Sequence, residues 1–305
     1  MSIRIATRRS ELALVQARGV AARIAAALGA ETELVPLETR GDRLQGARLA
    51  ELGGKGLFVK EIEEALLDGR ADVAVHSAKD LPAELAAGLR LAAFPPRADP
   101  RDALVGRGRG LRFEDLPPAA RIGTGSVRRT AQLLAARPDL RVVPLRGNVS
   151  TRLRKLDEQG LDALVLACAG LDRLGLADRI GQRLAPELLL PAPGQGILAL
   201  ETRADDPLAD ALAAVGDAWA SRAARAERAF LARVEGDCRV PVAALAEPDG
   251  DALRVRGLVA SLDGARLARG EARERDPERA GDAAARAMLA DGGKEILDSL
   301  REAEL

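Results

Sequence analysis

Cysteine and histidine are nearly absent. Two cysteines and one histidine are too few for a disulfide framework or a Cys/His zinc site, and no metal is expected. A surplus of one charge sign is missing as well. The 46 basic and 46 acidic side chains cancel, which argues against a general nucleic-acid or anionic-membrane binder, whose affinity rests on excess positive charge. No apolar run approaches the roughly 20 residues of a membrane span. Met1-Ser2-Ile3-Arg4-Ile5 enters a strand-like run directly, so no export signal is expected and a cytoplasmic location is.

What is present is length and apolar bulk. At 305 residues and 47% apolar composition, the chain has room for two or three domains of about 100–150 residues each. Arginine far outnumbers lysine and alanine is abundant, a pattern that GC-rich coding explains for most surface arginines.

The stretch around which the chain is organised is Val73-Ala74-Val75-His76-Ser77-Ala78-Lys79-Asp80-Leu81-Pro82. Its apolar alternation predicts a buried strand, and Pro82 stops the polar turn that follows. Before it come a strand at Ile3-Arg4-Ile5-Ala6, Ser10 as N-cap of a helix over 11–28, a strand over 33–37, a glycine-containing loop over 41–56 and a helix over 57–67. Strands alternating with helices predict a mainly parallel sheet. Gly53-Gly54-Lys55-Gly56 is not a phosphate loop, because no Ser or Thr follows the lysine to hold magnesium.

Proline-rich breaks at 94–100 and 191–196 read as paired crossings between lobes, which would hinge about a cleft. Between them a second α/β unit begins near Asp102. Its glycine turn, Gly123-Thr124-Gly125-Ser126, opens a helix whose first amides attract an anion. A dinucleotide site is rejected, since Arg128 occupies the position where the fingerprint needs glycine. Asn148 or Ser150 caps the next helix, and a strand over 161–168 follows. After position 215 come an apolar-striped helix, a polar loop at Glu235-Gly236-Asp237-Cys238-Arg239, two Asp-Gly turns separating three strands, and closing helices. The expected division is domain 1 over 1–96 and 191–214, domain 2 over 97–190 and a small α+β domain 3 over 215–305.

Arg8, Arg9, Arg128, Arg129, Arg146, Arg152 and Arg173 all fall at or just beyond predicted strand ends. Guanidinium forks bind carboxylate or phosphate bidentately, so the cluster predicts a ligand with many acid groups. Asp80 is the odd sign: either a structural counter-ion or a carboxylate poised for positive charge on the ligand. Cys168 lies in an apolar run and reads as inert core. Cys238, beside Arg239, is a candidate thiolate or a simple loop cysteine.

The segments Ile5-Ala6-Thr7-Arg8-Arg9-Ser10, Gly53-Gly54-Lys55-Gly56-Leu57-Phe58, Val75 to Pro82, Leu145-Arg146-Gly147-Asn148, Pro193-Gly194-Gln195-Gly196 and Glu235 to Pro241 occur in this order. Together they resemble the hydroxymethylbilane synthase (porphobilinogen deaminase) family across nearly the whole chain. The resemblance implies two periplasmic-binding-protein-like α/β domains around a cleft, plus a small C-terminal α+β domain with a three-stranded antiparallel sheet. It implies a monomeric transferase of tetrapyrrole (heme) biosynthesis that adds four porphobilinogens head to tail, with loss of ammonia, onto a covalent dipyrromethane cofactor. The linear hydroxymethylbilane is then released by water.

The same resemblance assigns roles. Cys238 matches the thioether attachment point and Asp80 the aspartate that stabilises the cation left when ammonia departs. Arg8, Ser10, Ser77, Lys79, Thr124, Ser126, Arg128, Arg129, Arg146, Arg152 and Arg173 match cofactor- and substrate-carboxylate positions. Lys55 and Phe58 match an active-site loop, and Gln195 an inter-domain hinge. The family commonly has serine where this chain has Gly125. The alternative reading is a non-catalytic, two-lobed anion-binding protein, similar in architecture to periplasmic solute receptors.

Overall fold

The structure is a computed structural model that describes residues 2–39, 41, 59–234 and 240–302. The expectations for Lys55, Phe58 and Cys238, and for nearly all of the loop over 41–56, fall outside those residues. The described chain divides into two compact units, Met1–Ala98 with Gly196–Arg222, and Asp99–Gln195 with Ala223–Leu305. Two of the breaks, at 98/99 and 195/196, lie in or at the edge of the proline-rich stretches.

In the first unit, β1 (Ile3–Arg8) leads into α1 (Glu11–Leu28). The Ser10 side chain accepts from the Ala13 amide at 3.4 Å, satisfying one open donor at the helix start. Gly29 at φ 63° closes the helix in the left-handed conformation that glycine adopts without strain. Then come β2 (Thr32–Leu37), α2 (Lys60–Leu67), β3 (Val73–Ser77) and β4 (Leu89–Ala93). The second unit adds β5 (Asp102–Gly106), β6 (Arg121–Thr124), α3 (Val127–Ala136), β7 (Arg141–Pro144), α4 (Val149–Glu158), β8 (Ala163–Ala167), α5 (Cys168–Arg173) and β9 (Gln182–Arg183), after which β10 (Leu198–Arg203) belongs to the first unit.

The two five-stranded sheets share one plan, β2-β1-β3-β10-β4 and β7-β6-β8-β5-β9. In each, three strands pair in parallel, and the fourth pairs antiparallel on both sides. That reversed strand, β10 or β5, is the one that follows a crossing. β10 is the last strand to join its sheet and β5 the first to form its own, yet both run against their neighbours, so alternation alone could not reveal the mixed character. Buried Ile5, Val73, Val75 and Leu200 pack with Val20 and Ile24 of α1 on one sheet face. Ala6 and Ala74 pack with Ile62 and Leu66 of α2 on the other.

The rest of the second unit is α6 (Ala218–Val234), whose last part lies here, the meander β11 (Val242–Asp249), β12 (Ala252–Ala260) and β13 (Leu267–Glu274), and helices α7 (Pro277–Met288) and α8 (Lys294–Glu302). The three strands pair antiparallel in sequence order. Both Asp-Gly sites are turns, with Gly250 at φ 61° and Gly264 at φ 72°. Fully buried Phe230 of α6 packs against β12 at Gly257, where an added Cβ would overlap the ring. Gly257→Ala is therefore expected to cost about 1–3 kcal/mol in chemical denaturation, the usual cost of overpacking. Phe230→Leu introduced beside it should return part of that loss.

Candidate active site

Each α/β sheet brings its predicted functional residues to one edge, the carboxyl ends of its parallel strands. In such sheets ligands bind at that edge, because loops there are free to vary while the strands hold them in place. In the first unit Arg8 ends β1 and Ser77 ends the neighbouring β3. Ala78–Asp80 form one 3-10 turn directly beyond β3. The Ala78 amide donates to the Ile197 carbonyl at 3.0 Å, which fixes the start of that turn. Gln16 of α1 donates to the Ser77 hydroxyl at 3.4 Å.

Asp80 itself is exposed. Among the described residues its carboxylate has no ion-pair or hydrogen-bond partner. The structural counter-ion reading finds no support there. Two residues upstream of the turn, His76 and Glu201 of β10 form a buried pair at 2.9 Å. The only histidine of the chain is thereby committed to the sheet interior. Among the described residues no group of three or more His, Cys, Asp or Glu side chains could hold a metal ion.

In the second unit, adjacent strands β7, β6 and β8 lead to Arg146, to Thr124 with Ser126, and to α5 with Arg173. Thr124 is buried and its hydroxyl accepts from the Ser126 amide at 3.3 Å. Ser126 is the N-cap of α3, yet its side chain makes no capping bond. Asn148, of the two residues offered as caps, is the one that caps α4, accepting from Thr151 N at 2.8 Å. Arg152 Nε donates to the Gly147 carbonyl at 2.7 Å, and Lys155 Nζ to that of Arg146 at 3.1 Å. Arg173 is partly buried, and that burial lowers its pKa against the opposing field of Asp172. A Cβ at Gly125 would sit 2.5 Å from the Leu145 carbonyl oxygen. The glycine thus permits β7 and the start of α3 to approach, and a serine there would have to push backbone aside.

Arg128 and Arg129 are placed differently from the other arginines. Both are buried against Asp102, itself fully buried at the start of β5. Arg128 meets one carboxylate oxygen at 2.8 Å and Arg129 the other at 2.6 Å. Arg128 also donates to the Leu190 carbonyl at 2.6 Å, and Arg129 to that of Val165 at 2.9 Å. Gln195 donates to Asp102 at 3.0 Å and to the Pro100 carbonyl at 2.7 Å, so its amide ties the two crossing segments together. Sequence reasoning did not single out Asp102. The one available signal was an acidic residue opening an otherwise apolar strand.

Burial alone would raise the Asp102 pKa, but the fields of Arg128 and Arg129, with hydrogen bonds from Arg129 and Gln195, reverse the effect and hold it at about 2. Burial lowers the Arg128 pKa, with Asp102 opposing. Two cations share one carboxylate, leaving one uncompensated positive charge. Arg128 Nε is buried with no hydrogen-bond acceptor among the described residues. Cys168, opening α5, is fully buried, and burial pushes its thiol up to about 12. It is core.

Asp102→Asn should destabilise the protein by about 3–5 kcal/mol at pH 7, because it strands two buried guanidinium groups. In the unsubstituted protein the depressed pKa makes this stabilisation complete above the ordinary value of 3.8 and lost as pH falls through about 2. Urea titrations from pH 7 down to 2 should show the gap between the two proteins closing only at the acid end.

Comparison with known proteins bears on what these two edges do. Residues 3–211 match the family model described as porphobilinogen deaminase, dipyromethane cofactor binding domain. Residues 221–290 match the porphobilinogen deaminase C-terminal domain. A curated porphobilinogen deaminase of Geobacter metallireducens is 48% identical over 307 residues, covering 99% of this chain and 96% of that protein. One from Sorangium cellulosum is 54% identical over 272 residues, covering 88% and 90%. Among solved structures, the methionine binding protein MetQ aligns at 14% identity and a TM-score of 0.47, covering 74% of this chain and 94% of that one. Family models spanning both halves, and near-half identity along almost the full length, leave one assignment: the chain belongs to the porphobilinogen deaminase family.

Proposed function

We propose that this chain is the transferase that condenses four porphobilinogen molecules head to tail, with loss of ammonia, onto a dipyrromethane primer and releases hydroxymethylbilane by hydrolysis. The observation that carries the chemical reading is the exposed Asp80 carboxylate, without a partner among the described residues, on a turn fixed to a buried strand. The non-catalytic alternative gives that group no task and is not favoured.

The residues present suit a dipyrromethane. Each of its rings carries two acid arms, and the second unit's sheet edge carries Arg146, Arg152 and Arg173, the Thr124 and Ser126 hydroxyls and an excess of one buried positive charge. The unsatisfied Arg128 Nε is a donor that suits an acidic group. When bound, the dipyrromethane supplies the terminal pyrrole carbon to which the next unit is joined.

This chain's own residues then have separable tasks. Arg146, Arg152 and Arg173 grip acid arms through charge-assisted forks, which orient each ring as well as hold it. Arg128 and Arg129 set the local positive potential from their places on Asp102. Arg8, Ser10, Ser77 and Lys79 offer cations and hydroxyls at the first unit's edge. Asp80 accepts the N–H of the reacting porphobilinogen and balances the positive charge that develops there as ammonia leaves.

The resemblance further supports Cys238 as the thioether attachment point, Lys55 and Phe58 as a covering loop, and Gln195 as a hinge residue. A monomer in the cytoplasm is in keeping with this reading, as are three domains over 1–96 with 191–214, 97–190 and 215–305. Among the described residues no helix is long and apolar enough to cross a membrane.

Intact mass spectrometry of the purified protein should give the sequence mass plus two linked pyrrole units, and Cys238→Ser should remove the excess; an unmodified but fully active protein would exclude covalent attachment. Asp80→Asn should fold normally, since an amide replaces an exposed carboxylate at a solvent-facing turn, yet lower kcat by at least about 10²–10³-fold. Near-normal turnover in that variant would return Asp80 to a structural role.

A further inference from the structure

Gly106-Arg107-Gly108-Arg109-Gly110 leads out of β5 and has none of the roles assigned above. β5 runs against its neighbours, so its last residue, Gly106, pairs with Ala163 at the amino end of β8. The loop therefore lies at the edge of the second sheet opposite to Thr124, Arg146 and Arg173. The five residues of β5 separate the two edges by roughly 16 Å.

The loop over 106–111 and Asp162 line a surface cavity of about 330 Å³, room for a small ligand. The backbone amides of Arg107, Gly108, Arg109 and Gly110 have no acceptor among the described residues. Nothing lies within 4 Å of where a Cβ at Gly108 or Gly110 would stand, so a ligand can reach the bare backbone. Successive amides left open in this way form a nest for an oxyanion. Packing sets the shape of the loop in advance. A Cβ at Gly106 would meet the Leu111 side chain at 2.7 Å, and one at Gly181 the Leu111 carbonyl oxygen at 2.5 Å. Those glycines let the chain fold back tightly, and donors already in place cost less to order on binding.

Charge acts in the same direction. The Arg107 side chain has no ion-pair or hydrogen-bond partner among the described residues. Arg107 Nη2 and Arg121 Nη1 both lie 3.6 Å from the place a Cβ at Gly160 would take. Arg121 Nη1 donates to the Gln159 and Gly160 carbonyls at 2.9 and 3.3 Å, not to a carboxylate. Arg109 is balanced by Asp178 at 2.8 Å. Asp162, which accepts from the Arg121 amide at 2.7 Å, is the one carboxylate in the cavity wall. Two guanidinium groups thus converge against one carboxylate, and an anion between them relieves their repulsion. A wall of several amides and a fork suits the three or four oxygens of a phosphate better than the two of a carboxylate. Asp162 also repels a second acid group, which disfavours pyrroles with two acid arms per ring.

We propose that this loop is a second ligand site, which takes one small phosphate-bearing molecule and holds its phosphate by the loop amides and Arg107. Free phosphate and a phosphate monoester share that chemistry.

Isothermal titration calorimetry of the full-length holoenzyme at constant ionic strength tests this with inorganic phosphate, glycerol 3-phosphate and succinate. One of the two phosphates should bind, and succinate should bind at least about tenfold more weakly, having fewer oxygens to pair. Tighter binding of glycerol 3-phosphate identifies an ester as the ligand class, and tighter binding of inorganic phosphate the free ion. Arg107→Ala should weaken phosphate binding at least about tenfold, the loss of one charge-assisted contact, with kcat and KM for porphobilinogen unchanged. Gly108→Asp, which places a carboxylate in open space beside the amides, should abolish it. Arg146→Ala, at the other edge, should leave it intact. Absence of phosphate binding overturns the proposal, as does succinate binding as tightly as phosphate. So does phosphate binding that survives Arg107→Ala and Gly108→Asp but is lost in Arg146→Ala.

Discussion

One buried carboxylate between two buried guanidinium groups organises the second α/β sheet. Asp102 opens β5, the strand that runs against its neighbours, and it faces the first turn of α3. Without the paired charges, each of these groups would be prohibitive to bury. With them, the crossing segment, the helix start and the second crossing's Gln195 are held at one point. The arrangement is one negative charge short of neutral, and the local positive potential that results is of the sign that acid arms require.

Charge is distributed unevenly between the sheet edges. The first unit presents Asp80 with its carboxylate exposed. The second presents arginines whose other donors are partly spent on backbone carbonyls, as Arg152 shows at Gly147. A guanidinium tied to the backbone by one nitrogen loses fewer rotamers when it meets a ligand. Arg128 and Arg129 carry this further, each tied to Asp102 and to a backbone carbonyl, while the Arg128 Nε has no acceptor among the described residues.

The mixed sheets follow from the path of the chain. In the first sheet the strand arriving from a crossing joins last, after the parallel strands; in the second it comes first, and the parallel strands β6, β7 and β8 follow it. The arriving strand is antiparallel in both cases, and it begins at the edge where the functional residues sit. Position 102 and position 198 are therefore close in sequence to the crossings and close in space to strand ends that carry Thr124 and Ser77.

Much was legible from local rules alone. Ser10, Asn148 and the two Asp-Gly turns lie where capping and turn chemistry put them, because a cap bonds an amide three residues away and a turn closes within four. The turn that presents Asp80 followed from an apolar run stopped before proline. The order and direction of strands did not follow, nor did the strand Leu89–Ala93, whose alternation is weak. The partners of charged groups were equally hidden: Asp102 meets Arg129 across 27 positions and His76 meets Glu201 across 125. Which residues bear charge, and which segments turn, was determined by the sequence. Which charges are cancelled and which are left over was decided only by tertiary structure, because pairing depends on the distance and dielectric that folding creates between remote segments.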